Sequence, residues 1–211
     1  MKEMIVQKGA DPSHLIMAFT GMFGPKGKPF NFFKSTAATD YSRILLRDDE
    51  RIWYHGDVYD RSVVLWSRIK ELAPKTTCAV GVSAGGYAAI MFGYTVGVDV
   101  VHAFSPQTFV DKPNMERVGD NRFKVEQEKL YSKERRSSWF YDLKNLLVRS
   151  NGTTTYNIYA CDKNEIDVIH ASHLVDIEEV NVYYYDCNNH NVAQTLKRGG
   201  ILQKLLSKKG V

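Results

Sequence analysis

The chain has 211 residues, a formal charge of +4, and 44% hydrophobic and 25% charged residues, the makeup of one soluble globular domain long enough to bury a core. No apolar run approaches the roughly 18 residues of a membrane span, and the basic residues are scattered instead of forming the stripe that nucleic acid demands. Neither a membrane span nor a nucleic-acid partner is expected.

The longest early apolar stretch, Leu15 to Phe19, is too short for a secretory leader and lies behind the polar run Gln7-Lys8-Gly9-Ala10-Asp11. A cytoplasmic protein is therefore expected. Cys78, Cys161 and Cys187 are odd in number and widely spaced, which fits neither a disulfide framework nor a Cys-x-x-Cys motif. Three reduced, mostly buried thiols are expected.

Taken in order, Met4 to Gln7 reads as a short strand and His14 to Phe19 as a second, apolar almost throughout, as in a strand covered on both faces. It ends at Thr20-Gly21-Met22-Phe23-Gly24, and a long loop carrying Phe30, Phe32 and Phe33 follows. Arg43 to Arg47 reads as a third strand, after which come the acidic turn Asp48-Asp49-Glu50 and the aromatic Trp53-Tyr54. From about Arg61, Leu65, Ile69 and Leu72 recur at helical spacing until Pro74. The apolar Cys78-Ala79-Val80 is a fourth strand, and a small-residue helix follows it as far as Gly97. Val98 to Phe104 is a fifth strand, broken by Ser105-Pro106-Gln107.

Residues 111–150 are dense in charge, with Trp139, Leu143 and Leu146 forming an apolar seam; the segment reads either as a small lid or as a helical cover of the main sheet. Thr154 to Ala160 is a sixth strand, ending at Cys161-Asp162. A helix spans about Val168 to Leu174, and Val180 to Tyr185 is a seventh strand, ending at Asn188-Asn189-His190. A last helix runs to about Ser207. Strands alternating with helices over residues 1–211 predict a single α/β domain, its mostly parallel sheet of six to seven strands flanked by helices. In such sheets ligands bind beyond the carboxyl ends of the strands.

At that edge lies Gly81-Val82-Ser83-Ala84-Gly85-Gly86, a Gly-x-Ser-x-Gly pattern with a strand before it and a helix after it. So sharp a turn needs small neighbours on either side and lifts the serine hydroxyl clear of the sheet. A serine becomes a nucleophile only when a base takes its proton, and the base needs an acid to orient it. Asp162 follows one strand and His190 the next, so Ser83, Asp162 and His190 are the candidate catalytic residues. Asp167 and Asp111 remain alternatives for the acid. The Ala84 N–H is a candidate donor to the developing oxyanion. Gln107 is a candidate substrate contact, and the loop aromatics, Phe23 among them, either line a pocket or join the core. His170 and His173 read as ordinary helix residues and not as metal ligands. The chemistry calls for no metal or organic cofactor.

With this order of Ser, Asp and His, the chain resembles the α/β-hydrolase superfamily from about Ser13 to its end. The resemblance rests on the strand ending at Gly21, the turn Gly81 to Gly86, Asp162 and His190. It implies a three-layer sandwich and a second oxyanion donor at the Met22 N–H, with Phe23 next in line. The chain departs from the superfamily in having Thr20-Gly21 where a His-Gly pair is usual, and in its short leading segment. The runs Gly85-Gly86-Tyr87-Ala88-Ala89 and Ala103-Phe104-Ser105-Pro106-Gln107 also resemble hydrolase-like proteins associated with bacterial polysaccharide and glycoconjugate synthesis, which implies a sugar O-acyl ester as substrate. The expected activity is cleavage of a carboxylic ester. Thioester hydrolysis or acyl transfer is the alternative, and a non-catalytic binding module is another. Oligomeric state has no signature in the sequence.

Overall fold

The computed structural model describes residues 4–22, 30–150 and 152–207. Seven strands form one sheet: β1 (Met4–Gln7), β2 (Asp11–Phe19), β3 (Tyr41–Leu46), β4 (Thr76–Val82), β5 (Val100–Phe104), β6 (Thr155–Cys161) and β7 (Val180–Tyr185), in the order β1-β3-β2-β4-β5-β6-β7. Only β1 is antiparallel; it pairs Met4 with Leu46 and Gln7 with Arg43, so the short leading segment closes the sheet edge. The other pairings are parallel. The β-branched and apolar runs seen in the sequence are the central strands, because a parallel sheet buries both of its faces.

Helices cover both faces. On one side lie α2 (Val58–Leu72) and α3 (Ala84–Val96), followed by α4 (Lys112–Val118), α5 (Lys124–Tyr131), α6 (Leu143–Leu147) and α7 (Glu165–Ser172). All of them but α4 contribute side chains to a core with Phe19, Leu46, Ala79, Val101 and Ile158. On the other side α1 (Phe33–Ala37), α8 (Val192–Arg198) and α9 (Ile201–Ser207) pack with Ile16, Val80, Phe104 and Tyr159. Helix α3 is apolar on every side and buried from Ala84 to Gly93, as a helix enclosed by its own domain must be.

The charged segment 111–150 lies on the α3 side and contributes Phe123, Leu130, Phe140, Leu143, Leu146 and Leu147 to the core. Trp139 breaks the expected seam. It lies in a 3-10 turn, Ser138–Tyr141, ahead of α6, and is 43% exposed with Arg149 over its ring. The aromatics Trp53 and Tyr54 are fully buried, and Phe30, Phe32 and Phe33 pack against the second core.

The cysteines correct one expectation. Cys161 and Cys187 are joined in a disulfide, and only Cys78 is a free thiol among the described residues, pushed up to about 12 by burial. A separation of 26 residues gives no hint of the pair in the sequence; the parallel pairing of β6 and β7 brings their exits together. Disulfides persist in oxidising compartments, so this pair does not favour the cytoplasmic expectation. No helix among the described residues is long and apolar enough to cross a membrane.

Three histidines are buried, His55, His102 and His170. His55 Nε2 lies 2.9 Å from the Tyr87 hydroxyl. That hydroxyl donates to the Phe140 carbonyl, so it accepts from His55 Nε2–H and leaves Nδ1 without a proton. His55 Nδ1 is buried with no partner among the described residues. Burial, helped by the charge of Arg135, lowers its pKa to about 3. A histidine lowered in this way is neutral when folded and takes up its proton on unfolding, so stability falls as pH drops below about 6.5 and the loss levels off near the folded pKa. The stability lost between pH 7 and pH 5 through His55 alone is expected to be about 2 kcal/mol. Urea unfolding of the protein and of His55→Gln at both pH values tests this: the variant should lose markedly less stability on acidification, and equal losses would refute the account.

Candidate active site

Gly81 and Gly85 shape the β4–α3 turn because a side chain at either would strike main chain. A Cβ at Gly81 would lie 1.9 Å from the Gly85 carbonyl oxygen, and one at Gly85 would lie 2.3 Å from that of Phe19. Between them Ser83 adopts φ 55° and ψ −124°, outside the ordinary regions for an L-residue. The turn is held by Ser83 N–H donating to the Phe104 carbonyl at 2.9 Å and Tyr87 N–H donating to the Ser83 carbonyl at 3.0 Å.

His190 stands beside it. Its Nε2 lies 2.9 Å from Ser83 Oγ, and its Nδ1 lies 2.8 and 2.9 Å from the two oxygens of Asp167. Asp167 is buried and His190 is about one-third exposed, at 32%. An ionised carboxylate accepts only, so Nδ1 carries the proton and Nε2 offers its lone pair to the serine hydroxyl. An imidazole held in this tautomer can take that proton.

Asp162 does not reach the imidazole. It is exposed at the β6 exit, where its Oδ1 faces the Cys187 N–H at 3.4 Å. Asp111, the other alternative, caps α4 and accepts from Asn114 N–H at 3.0 Å. The depth of Asp167 is set by α7. Asn164 caps that helix by accepting from Asp167 N–H at 3.1 Å, and the first turn then carries Asp167 inward with His170 and Ala171. The visible signal was an acidic residue on the inward stripe of a helix, at Asp167, His170, Ala171 and Leu174.

Gln107 also comes to Ser83. Its Nε2 donates to Ser83 Oγ at 3.2 Å, while its Oε1 accepts from Trp53 Nε1 at 3.2 Å. Indole nitrogen only donates, so Trp53 fixes which end of the amide faces Ser83. Backbone strain lies close by, with Ser105, two residues before Gln107, at φ 42° and Trp53 itself at φ 52°. Trp53 has no distinguishing mark in the sequence.

Behind Asp167 lies a second layer that sequence reading missed. Arg122 donates from Nε and Nη2 to the two oxygens of Asp120, at 2.9 and 2.7 Å, and from Nη1 to Asp167 Oδ1 at 2.8 Å. His170 Nδ1 accepts from Thr108 N–H at 3.1 Å, so its Nε2–H donates to Asp120 at 3.1 Å. Burial by itself would raise Asp120, but the bonds from His170 and Arg122 and the guanidinium charge outweigh it and hold the carboxyl well below its usual range. Burial lowers the pKa of His170, more than its bond to Asp120 restores. In the charged segment 111–150 nothing in the sequence separates Asp120 and Arg122 from their solvated neighbours.

Ala84 opens α3 directly after Ser83, so its N–H lies at the turn. Met22 is buried, and Gly21 before it lies so close to β4 that a Cβ would be 2.9 Å from the Val82 carbonyl oxygen. Gly21 N–H donates to Asn31 Oδ1 at 2.9 Å, which pins this loop. Phe23 lies outside the described residues.

No family model matches the chain, and no curated protein matches it in sequence. Solved structures do. The capsule O-acetyltransferase of Neisseria meningitidis serogroup A superposes with a TM-score of 0.70 at 13% identity, covering 97% of this chain and 91% of that one. A protein of unknown function from Staphylococcus aureus gives 0.67 at 13% identity, with 96% and 92% covered. A lipase-esterase related protein from Clostridium acetobutylicum gives 0.59 at 15% identity, with 96% and 97% covered. Together with a sheet that is parallel but for its first strand, these likenesses show that the chain has the α/β-hydrolase fold.

Proposed function

We propose that the protein is a serine hydrolase of carboxylic esters, with Ser83 as nucleophile, His190 as general base and Asp167 as the acid that orients it. The reading rests on one observation, the unbroken line of hydrogen bonds from Asp167 through His190 to Ser83 Oγ. Ser83 attacks the acyl carbon while His190 takes its proton. The N–H groups of Ala84 and Met22 stabilise the oxyanion. As the tetrahedral intermediate collapses, His190 gives the proton to the leaving alcohol. Water then attacks the acyl-enzyme, losing its proton to His190, and Ser83 departs with that proton restored. Gln107, held by Trp53, donates to Ser83 Oγ and assists its departure.

The substrate proposed is an O-acyl ester on a sugar or glycoconjugate. Acyl transfer is the second reading, favoured by the likeness to the capsule O-acetyltransferase: a sugar hydroxyl would replace water in the second half of the same cycle. A fluorophosphonate probe tests the common step. We expect stoichiometric labelling that peptide mapping places on Ser83 and that Ser83→Ala abolishes. Folded protein left unlabelled would favour a non-catalytic binding module and overturn the enzyme reading. Incubation with p-nitrophenyl acetate and a saccharide acceptor then separates hydrolysis, which releases acetate, from transfer, which acetylates the acceptor.

A further inference from the structure

The charged segment 111–150 does more than cover the sheet. Its Asp120 and Arg122, in the link between α4 and α5, reach the buried carboxylate beneath His190. Arg122 Nη1 and His190 Nδ1 both lie 2.8 Å from the same oxygen, Asp167 Oδ1. The two nitrogens are 3.1 Å apart. Both are donors, so this approach is not a hydrogen bond between them; it is two N–H groups converging on one acceptor. The guanidinium is positioned in turn by its two-point contact with Asp120, and Asp120 by His170. A planar, permanently charged fork suits this task, because it binds one carboxylate with two nitrogens and a second with the third.

We propose that Arg122 is a positioning residue for the proton relay: anchored by Asp120, it locks the Asp167 carboxylate against His190 and places a fixed positive charge beside the imidazole that disfavours premature protonation of the base. This rests on Ser83, His190 and Asp167 acting as proposed above. The charged and titratable groups facing the relay are few. Asp167 on α7 and Arg122 meet the imidazole directly, Ser83 meets its far side, and Asp120 and His170 stand behind Arg122. Asp167 favours the imidazolium and Arg122 opposes it. Asp120, beyond Arg122, partly offsets that opposition.

The two charges therefore have opposite expected effects when neutralised, a signature that loosened packing does not produce. The measurement is the second-order rate of fluorophosphonate labelling of Ser83 as a function of pH, for the full chain and three variants, with folding checked by circular dichroism. In Arg122→Gln the acid limb of the profile should move to higher pH by about one unit, because a cation close to the base has gone. The plateau should fall about 10-fold as Asp167 loosens. Asp120→Asn leaves the guanidinium charge unopposed, so its limb should move the other way. Arg122→Lys keeps the charge but not the fork; its limb should stay while the plateau falls. Should Arg122→Gln not fold, the Lys and Asn variants still decide the matter. Limbs that coincide in all folded proteins, or that move together for Arg122→Gln and Asp120→Asn, overturn the proposal and leave these residues a purely structural role. Absence of Ser83 labelling in the unaltered protein overturns the serine-nucleophile reading and this proposal with it, so the two failures are distinct.

Discussion

Asp167→Asn is expected to lower ester turnover by about four orders of magnitude, while Asp162→Asn stays within about threefold of the unaltered protein. The amide would still offer one oxygen to the donors at Oδ1, but it would place an NH2 group where Oδ2 now lies, 2.9 Å from His190 Nδ1. A hydrogen bond there requires a lone pair on Nδ1. An imidazole that takes this bond carries its proton on Nε2, 2.9 Å from Ser83 Oγ, and cannot accept another from the serine, while one that keeps its bond to the remaining oxygen, 2.8 Å away, is held by a neutral amide alone. Neutralising the carboxylate also removes the charge that stabilises the imidazolium as it forms. Asp162 has no such place. Its long contact with Cys187 N–H lies beside the disulfide and makes no bond to the imidazole. Steady-state kinetics on p-nitrophenyl acetate give both numbers, and a large loss in Asp162→Asn with little in Asp167→Asn would return the acid to the strand exit.

Ser83→Ala should abolish turnover, a loss of about five to six orders of magnitude for a serine acting as nucleophile, and should leave the protein folded. A second substitution separates chemistry from conformation. At φ 55° and ψ −124° a side chain is strained, and glycine is not. Ser83→Gly should therefore be as inactive as Ser83→Ala yet more stable than it by about 1–2 kcal/mol. Because both variants lack the hydroxyl, the difference reports the backbone alone. Urea unfolding measures it; an alanine variant as stable as the glycine one would mean that the turn relaxes once the hydroxyl is gone, and residual turnover in either would remove Ser83 from the reaction.

How far the sequence reached is clearest at these residues. The Gly81 to Gly86 turn was legible because its requirement is local: adjacent main-chain segments touch, and only glycine leaves room. The central strands were legible because a doubly covered sheet writes continuous apolar runs. His190 could be placed because it follows the last strand closely. Asp162 was named by the same reasoning, and the structure puts Asp167 there instead, since a helix turn after the strand, started by Asn164, sets how deep a carboxylate goes. Local sequence thus determined which side chain is lifted to the sheet edge, and the strand pattern determined which edge.

Only tertiary structure decided what meets Ser83 there. Gln107 faces Ser83 with its nitrogen because Trp53, 54 residues away in the chain, takes its oxygen. Arg122 reaches Asp167 across 45 residues, and Cys161 meets Cys187 across 26. A turn is specified by the clash of neighbours, so residue types a few positions apart reveal it. A hydrogen bond between distant segments depends on helix packing and sheet register, which no short stretch of this chain encodes alone.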